Sequence, residues 1–468
     1  MSNRSDTPPY TPSWPYPLDT LIMTKNRWIV ALAGMLLMMS LGTIYSWSLY
    51  TQPLIASFGW STMTTTCAFS VAIFFLGLGA LAGGRLQDRI GPRKVALAGV
   101  ALWGAGNILA GLGTPTFGAG WLYLTYGVLG GFGVGMGYVT PVTVVTKWFP
   151  HRRGLGSGMV VMGFGLGAVV YNLVVKSVPS FSAAAAAAAE YAKAAQAGGF
   201  VARVLPPEQM HAVMDVLTLS GIAFLLLGGL GAWFLDNPPA ASPSAGEAHT
   251  TVEKGRSYTT REMLATKQFY FLWLMLFVNV TAGILVISNA LPILQELTGA
   301  SPKVVAAAYG GVALFNALGR FFWGALSDRI GRSFAYSLIF FLQAGVFFVM
   351  GGAHSLIWAV AAYAVILLCY GGGFGTMPSF NADYFGTKHM GANYGAILTA
   401  WGAAGVAGPL FVAQVKDLSG AFSGALPAVA TMLALATVLP LITRKPAPRG
   451  AEGELMPAAS RWPIYQQR

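Results

Sequence analysis

Charge is scarce in this sequence: Asp, Glu, Lys and Arg make up only 9% of its 468 residues, against roughly a quarter in soluble domains. That shortage excludes an ordinary soluble fold. Cysteine is scarcer still. Cys67 and Cys369 both lie inside apolar runs, so neither a disulfide framework nor a thiolate metal site is expected. The five histidines, His151, His211, His249, His354 and His389, sit outside the apolar runs or at their ends, which argues against a histidine proton relay. No nucleophile with a nearby base, no metal-ligand cluster and no phosphate loop appears, so neither an enzyme nor a cofactor is expected. The first 24 residues, polar and rich in proline, lack an apolar h-region, and no removable signal peptide is read there.

Apolar sequence is what is abundant, at 55%. Runs long enough to cross a hydrocarbon core recur at 28–50, 63–84, 95–113, 119–146, 155–177, 216–235, 269–293, 304–326, 334–353, 355–380, 393–415 and 421–443. The expected fold is therefore an all-α membrane protein of twelve transmembrane helices. Basic residues outnumber acidic ones, 28 to 16, giving a formal net charge of +12, but they do not cluster with interleaved aromatics as in a nucleic-acid site. They follow topology instead. One side of the expected membrane holds only Lys176, Lys193, Arg203, Lys303 and Lys416, and all other basic residues except Arg320 fall on the opposite side or in the termini. The richer side, with both termini, is expected to be cytoplasmic, in the inner (plasma) membrane.

The chain repeats itself. Gly84-Arg-Leu-Gln-Asp88-Arg89-Ile-Gly91 follows the second run, and Gly324-Ala-Leu-Ser-Asp328-Arg329-Ile-Gly331 follows the eighth. Two pseudo-symmetric six-helix halves, 28–235 and 269–443, are expected, with a binding site between them near mid-membrane. A cytoplasmic tail, 1–27, a flexible linker, 236–268, and a second tail, 444–468, complete the plan. An external insert, 179–215, carries an alanine run at 183–189 that favours helix. Asp88, Arg89, Asp328 and Arg329 read as gating residues, since ion pairs near helix ends commonly fix conformation.

Arg320 lies within an apolar run. Such a residue costs at least roughly 2.5 kcal/mol in hydrocarbon and normally faces a cavity with a partner; it cannot shed its proton. No acid in the apolar runs can serve, because the nearest, Asp88, Asp328 and Asp383, lie at run ends. A mobile anion is the expected partner, and the planar guanidinium grips a carboxylate through two parallel charge-assisted hydrogen bonds. Reaching toward Asp328, two turns away, is the alternative. Asn316 shares the helix face of Arg320, one turn earlier. The aligned positions in the first half are Leu76 and Ala80, so the pair belongs to one half. Tyr45, Trp47, Tyr138, Tyr370 and Trp401 lie mid-run beside glycine or polar residues and are candidate pore linings.

These motifs resemble the oxalate:formate antiporter family and, more distantly, the monocarboxylate transporters. The stretches that carry the likeness are Tyr45-Ser-Trp47-Ser-Leu-Tyr50, Trp148-Phe-Pro-His-Arg152-Arg153-Gly-Leu-Gly-Ser-Gly158, Phe315-Asn316 with Arg320 and Trp323-Gly324, and Asn393-Tyr394-Gly395. The resemblance implies the major facilitator fold, with Arg320 as the carboxylate-binding arginine. It also implies that Tyr45, Tyr138, Tyr370 and Phe374 enclose the anion and that Asn316 is the polar residue one turn before the arginine. Phe164 stands where a tyrosine is expected. The largest departure is Thr399-Ala400-Trp401, where the oxalate exchanger has a second cation, a lysine; Ile44 likewise replaces a glutamine. One cation favours a singly charged substrate of the formate, lactate or pyruvate kind over oxalate. Anion exchange or proton symport by alternating access is expected, from a monomer. A membrane sensor would need an output domain, for which 236–268 and 444–468 are too short and too rich in Pro and Ala.

Overall fold

The computed structural model describes residues 26–196, 205–239, 257–288, 290–352, 354–419 and 422–446, and every regular element among them is helical. The elements are α1 (Arg27–Gly42), α2 (Ser48–Phe58), α3 (Thr62–Ile90), α4 (Pro92–Leu122), α5 (Gly131–Trp148), α6 (Arg153–Lys176), α7 (Pro179–Gln196) and α8 (Pro207–Trp233). After the linker come α9 (Thr260–Leu264), α10 (Lys267–Ser288), α11 (Ala290–Thr298), α12 (Pro302–Gly310), α13 (Ala313–Ile330), α14 (Arg332–Met350), α15 (Leu356–Phe385), α16 (Met390–Ser419), α17 (Ala425–Ala436) and α18 (Leu439–Ile442). Among the described residues, nine helical stretches are long and apolar enough to cross a membrane. One of them, Pro92–Trp148, has 57 residues, far more than the ~20 that one crossing needs. Gly118, with φ of 72°, interrupts it, and α4 and α5 pack side by side.

The repeated loops fold alike. Gly91 ends α3 at φ 91°, ψ 160°, and Gly331 ends α13 at φ 88°, ψ 150°, a backbone region that penalises any residue with a Cβ. Several element edges differ from the sequence reading. The first run continues through a 3₁₀ turn at Thr43–Ser46 and on to Phe58. The sixth helix starts at Pro207, so the end of the expected insert, 207–215, belongs to α8. The rest of the insert supplies α7, which packs on α2: Phe181 lies edge-on to Tyr50 at 5.6 Å, Ala188 is buried with Ala56, and the Leu205 N–H donates to the Ala56 carbonyl at 2.9 Å.

Both described ends of the linker are docked. The Trp148 indole donates to the Asp236 carbonyl at 2.8 Å. At the far end Thr259 and Glu262 form a capping box for α9, while the Tyr258 N–H donates to the Phe385 carbonyl at 2.8 Å. The expected flexible stretch 240–256, the tails 1–25 and 447–468, and 197–204 of the insert lie outside the described residues.

The two halves meet along α3 with α16 and α6 with α13. Small residues permit this closeness, as they do between membrane helices generally. A Cβ placed on Gly158 of α6 would lie 2.6 Å from the Arg320 carbonyl oxygen, and Gly375 of α15 faces the same oxygen. The backbone at Arg320 is thus seated between two glycine-bearing helices.

Candidate functional site

Arg320 is fully buried, and it is the one charged side chain in that state among the described residues. Its Nε donates to Asn316 Oδ1 at 3.3 Å, the one-turn pairing that their spacing predicts. Its two terminal nitrogens, Nη1 and Nη2, make no hydrogen bond among the described residues. Asp328 does not neutralise it. That carboxylate accepts from the Gly154 and Leu155 N–H groups at 2.9 and 2.8 Å and from Arg332 Nη2 at 2.6 Å, which overturns the alternative of an Arg320–Asp328 contact.

Aromatic rings from four helices and the turn after α1 surround the guanidinium. Its carbon stands 4.9 Å from the centre of the Phe374 ring and 5.3 Å from that of Phe164, within the range of cation–π attraction. Trp401 packs on Phe374 at 4.6 Å, on Tyr138 at 5.1 Å and on Phe164 at 5.6 Å. Tyr45 lies edge-on to Phe164 at 5.3 Å, and its hydroxyl meets that of Tyr370 at 2.7 Å, joining the two halves. The predicted set of Arg320, Asn316, Tyr45, Tyr138, Tyr370, Phe374 and Trp401 therefore lies in one cluster. Trp47 does not join it: its indole donates to the Thr65 carbonyl at 2.9 Å and its ring packs on Tyr126 at 4.4 Å.

Two further donors in the cluster, Trp401 Nε1 and the Tyr138 hydroxyl, are buried and make no hydrogen bond among the described residues. An unsatisfied buried donor costs about 1–3 kcal/mol, more when charged, and native structures keep few of them. Four such donors within one buried cluster, two of them on a cation, are chemically suited to a small anion with hydrogen-bond acceptors. The cluster's walls are aromatic.

The gating residues divide. Asp88 of the first half accepts from the Gly391 and Ala392 N–H groups, at 3.3 and 2.8 Å, at the start of α16 in the second half. Asp328 of the second half caps the start of α6 in the first half in the same way. Each repeated loop thus crosses to the opposite half and places a carboxylate on the positive end of a helix. Arg89 and Arg329 are exposed and form no ion pair among the described residues. The cations in the network are others: Arg332 bridges Asp328 and Asp383, and Arg153 reaches Asp383 across the halves at 3.0 Å. Sequence reasoning missed Arg153 and Arg332 as gate members. Their basic character was visible, but the partner they share, Asp383, lies 51 residues from Arg332 and 230 from Arg153.

A sequence profile described as Major Facilitator Superfamily matches residues 30–409. The chain is 29% identical over 388 residues to an oxalate:formate antiporter of Oxalobacter formigenes, covering 82% of this chain and 83% of that protein. It is 26% identical over 463 residues to apicoplast pyruvate carrier 1 of Toxoplasma gondii, covering 81% and 82%. Among solved structures, a proton:xylose symporter bound to 6-bromo-6-deoxy-D-glucose superposes with a TM-score of 0.68 over 90% of this chain and 96% of its own, at 15% identity. The Escherichia coli fucose:proton symporter gives 0.65 over 89% and 98%, at 14% identity. With the profile spanning most of the sequence and the fold recurring in solved transporters, this chain belongs to the Major Facilitator Superfamily of multi-pass membrane transporters.

Proposed function

We propose that the protein is a twelve-span secondary transporter of small organic monocarboxylates, with both termini in the cytoplasm and the anion held on Arg320. The observation that carries this reading is the buried guanidinium whose two terminal nitrogens make no hydrogen bond among the described residues while aromatic rings flank it. A carboxylate would satisfy both nitrogens through a bidentate pair. Trp401 supports a single negative charge, because the site offers one cation and a neutral N–H where a dianion would need a second positive group. The likeness to an oxalate:formate antiporter and to a pyruvate carrier supports the carboxylate class.

Alternating access follows from where contacts between the halves lie. On the Asp88 and Asp328 side, two carboxylates, each bound to backbone N–H groups of the other half, hold the halves together. At the Arg320 cluster the halves meet through the neutral Tyr45–Tyr370 hydroxyl pair and through Trp401 against Tyr138 and Phe164. Hydrogen bonds to charged groups contribute about 1.5–3 kcal/mol each and neutral ones about 0.5–1.5 kcal/mol, so the hydroxyl side opens more easily in this conformation. An anion bridging Arg320 and the aromatic wall adds contacts between the halves and offsets the cost of breaking the carboxylate latches. Among the described residues no buried carboxylic acid lies in the site to carry a proton, which favours exchange of one anion for another as the coupling.

Reconstitution tests this. Liposomes loaded with unlabelled formate, lactate, pyruvate or oxalate, supplied with each labelled acid outside, should take up label only when a monocarboxylate is inside. Uptake into empty vesicles driven by a pH gradient would replace exchange with proton symport. Equal uptake by Arg320→Met protein would remove the proposed site.

A further inference from the structure

Beyond the anion pathway, two arginines that form no ion pair among the described residues share one cleft. Arg152, just before α6, and Arg329, in the last turn of α13, are exposed and form no ion pair among the described residues. They come from opposite halves, yet both line one cleft of about 430 Å³, together with His151, Leu155, Phe321, Phe322, Ala325, Leu326 and Asp328. The acid in the wall is already engaged by Arg332 and by two backbone N–H groups. The cleft therefore presents two guanidinium groups and an imidazole. Beside them, Phe321 and Phe322 of α13 are 37% and 48% exposed.

We propose that this cleft binds the headgroup of an anionic phospholipid, with the phosphate between Arg152 and Arg329 and the acyl chains along Phe321, Phe322 and Leu326. Charge complementarity identifies the occupant, because basic pockets between membrane helices on the cytoplasmic side suit anionic headgroups. Guanidinium forks match phosphate oxygens, and the exposed rings continue the cleft into the hydrocarbon region, which a free phosphate would not need. Since one arginine comes from each half, a bound lipid would bridge the halves beside the Asp328 latch and favour the latched arrangement. The inference rests on the membrane topology proposed above and not on the transported substrate.

Native mass spectrometry of the detergent-purified full chain tests it without any transport assay. The wild type should bind dioleoylphosphatidylglycerol well ahead of dioleoylphosphatidylcholine, and millimolar inorganic phosphate should not displace it. At the attraction expected for each surface arginine, the pair R152Q/R329Q should bind phosphatidylglycerol about 25-fold more weakly, and R329Q alone about fivefold. R152K/R329K should keep most of the binding, and K267Q/R444Q, at a second basic cleft, should change it little. Equal binding of the two lipids by wild type, unaltered phosphatidylglycerol binding by R152Q/R329Q, an equal loss in K267Q/R444Q, or displacement by phosphate alone would each overturn the proposal.

Discussion

Replacing Arg320 separates a binding role from a structural one, because the two predict opposite signs for stability. In the unliganded protein the guanidinium is buried, Nη1 and Nη2 make no hydrogen bond among the described residues, and Nε holds Asn316 at 3.3 Å. Arg320→Met removes a buried charge whose desolvation the protein does not repay, and loses one hydrogen bond worth about 1.5–3 kcal/mol. Unliganded stability should hold steady or rise, and carboxylate exchange should vanish. Arg320→Lys is the finer probe. It keeps the charge but exchanges a two-pronged grip for a point contact, forfeiting roughly one charge-assisted hydrogen bond of about 1.5–3 kcal/mol. At 1.4 kcal/mol per tenfold, the half-saturating anion concentration should rise by roughly 10- to 150-fold. The assay is initial-rate exchange in liposomes over a range of external anion, paired with a thermal melt in detergent without anion. An Arg320→Lys protein within threefold of wild type, or an Arg320→Met protein destabilised by more than about 3 kcal/mol as when a buried pair is broken, would refute the reasoning and make the arginine a structural element.

Trp401→Lys should convert the preference: oxalate becomes an effective competitor of the exchange while formate and lactate lose ground, read as inhibition constants for each acid. Asp328→Asn keeps a neutral acceptor for the α6 N–H groups but removes the charge that Arg332 and the helix end favour, at about 1.5–3 kcal/mol. In a background lacking Cys67 and Cys369, a thiol from Ser157→Cys should then be alkylated at least about tenfold faster from the latch side; unchanged labelling would count against the latch. Gly158→Val should force α6 from the Arg320 carbonyl, 2.6 Å from where its Cβ would sit, costing about 1–3 kcal/mol of packing and most of the exchange rate, whereas Gly158→Ala should be milder. Tyr45→Phe deletes the 2.7 Å link to Tyr370 while leaving the Arg320 guanidinium and its Asn316 bond in place. It should alter the exchange rate by up to about tenfold while leaving the half-saturating concentration within threefold.

Much of the site was legible because membrane chemistry makes one residue conspicuous. An arginine amid apolar sequence with no acid in reach has few explanations, and its one-turn spacing from Asn316 placed both on one helix face, where the structure shows them hydrogen-bonded. Tyr45, Tyr138, Tyr370 and Trp401 were visible as mid-run aromatics, while Phe374 came only from the family resemblance, and Trp47 satisfied the same local criteria and packs elsewhere. Local sequence cannot rank such rings, since which face of a helix turns inward depends on its neighbours. The insert shows the same limit. Its helix-favouring alanines appear in α7, but its boundary moved because Pro207 starts α8 earlier than hydropathy alone indicates.

What the sequence by itself determined is what covalent order and the hydrocarbon environment impose: helices where apolar runs exceed the membrane thickness, a repeated Asp-Arg motif after the second and eighth runs, and a cation needing an anionic partner. What only the tertiary structure decided is pairing between distant segments. Asp88 and Asp328 read as loop partners of Arg89 and Arg329, yet each carboxylate binds backbone N–H groups of the opposite half, and Arg332 and Arg153 supply the charge in the network. The physical reason is that a helix end offers its unpaired N–H groups to whatever acceptor the packing brings near. That packing is set by glycines on α3, α6, α13 and α16 that let the two halves meet.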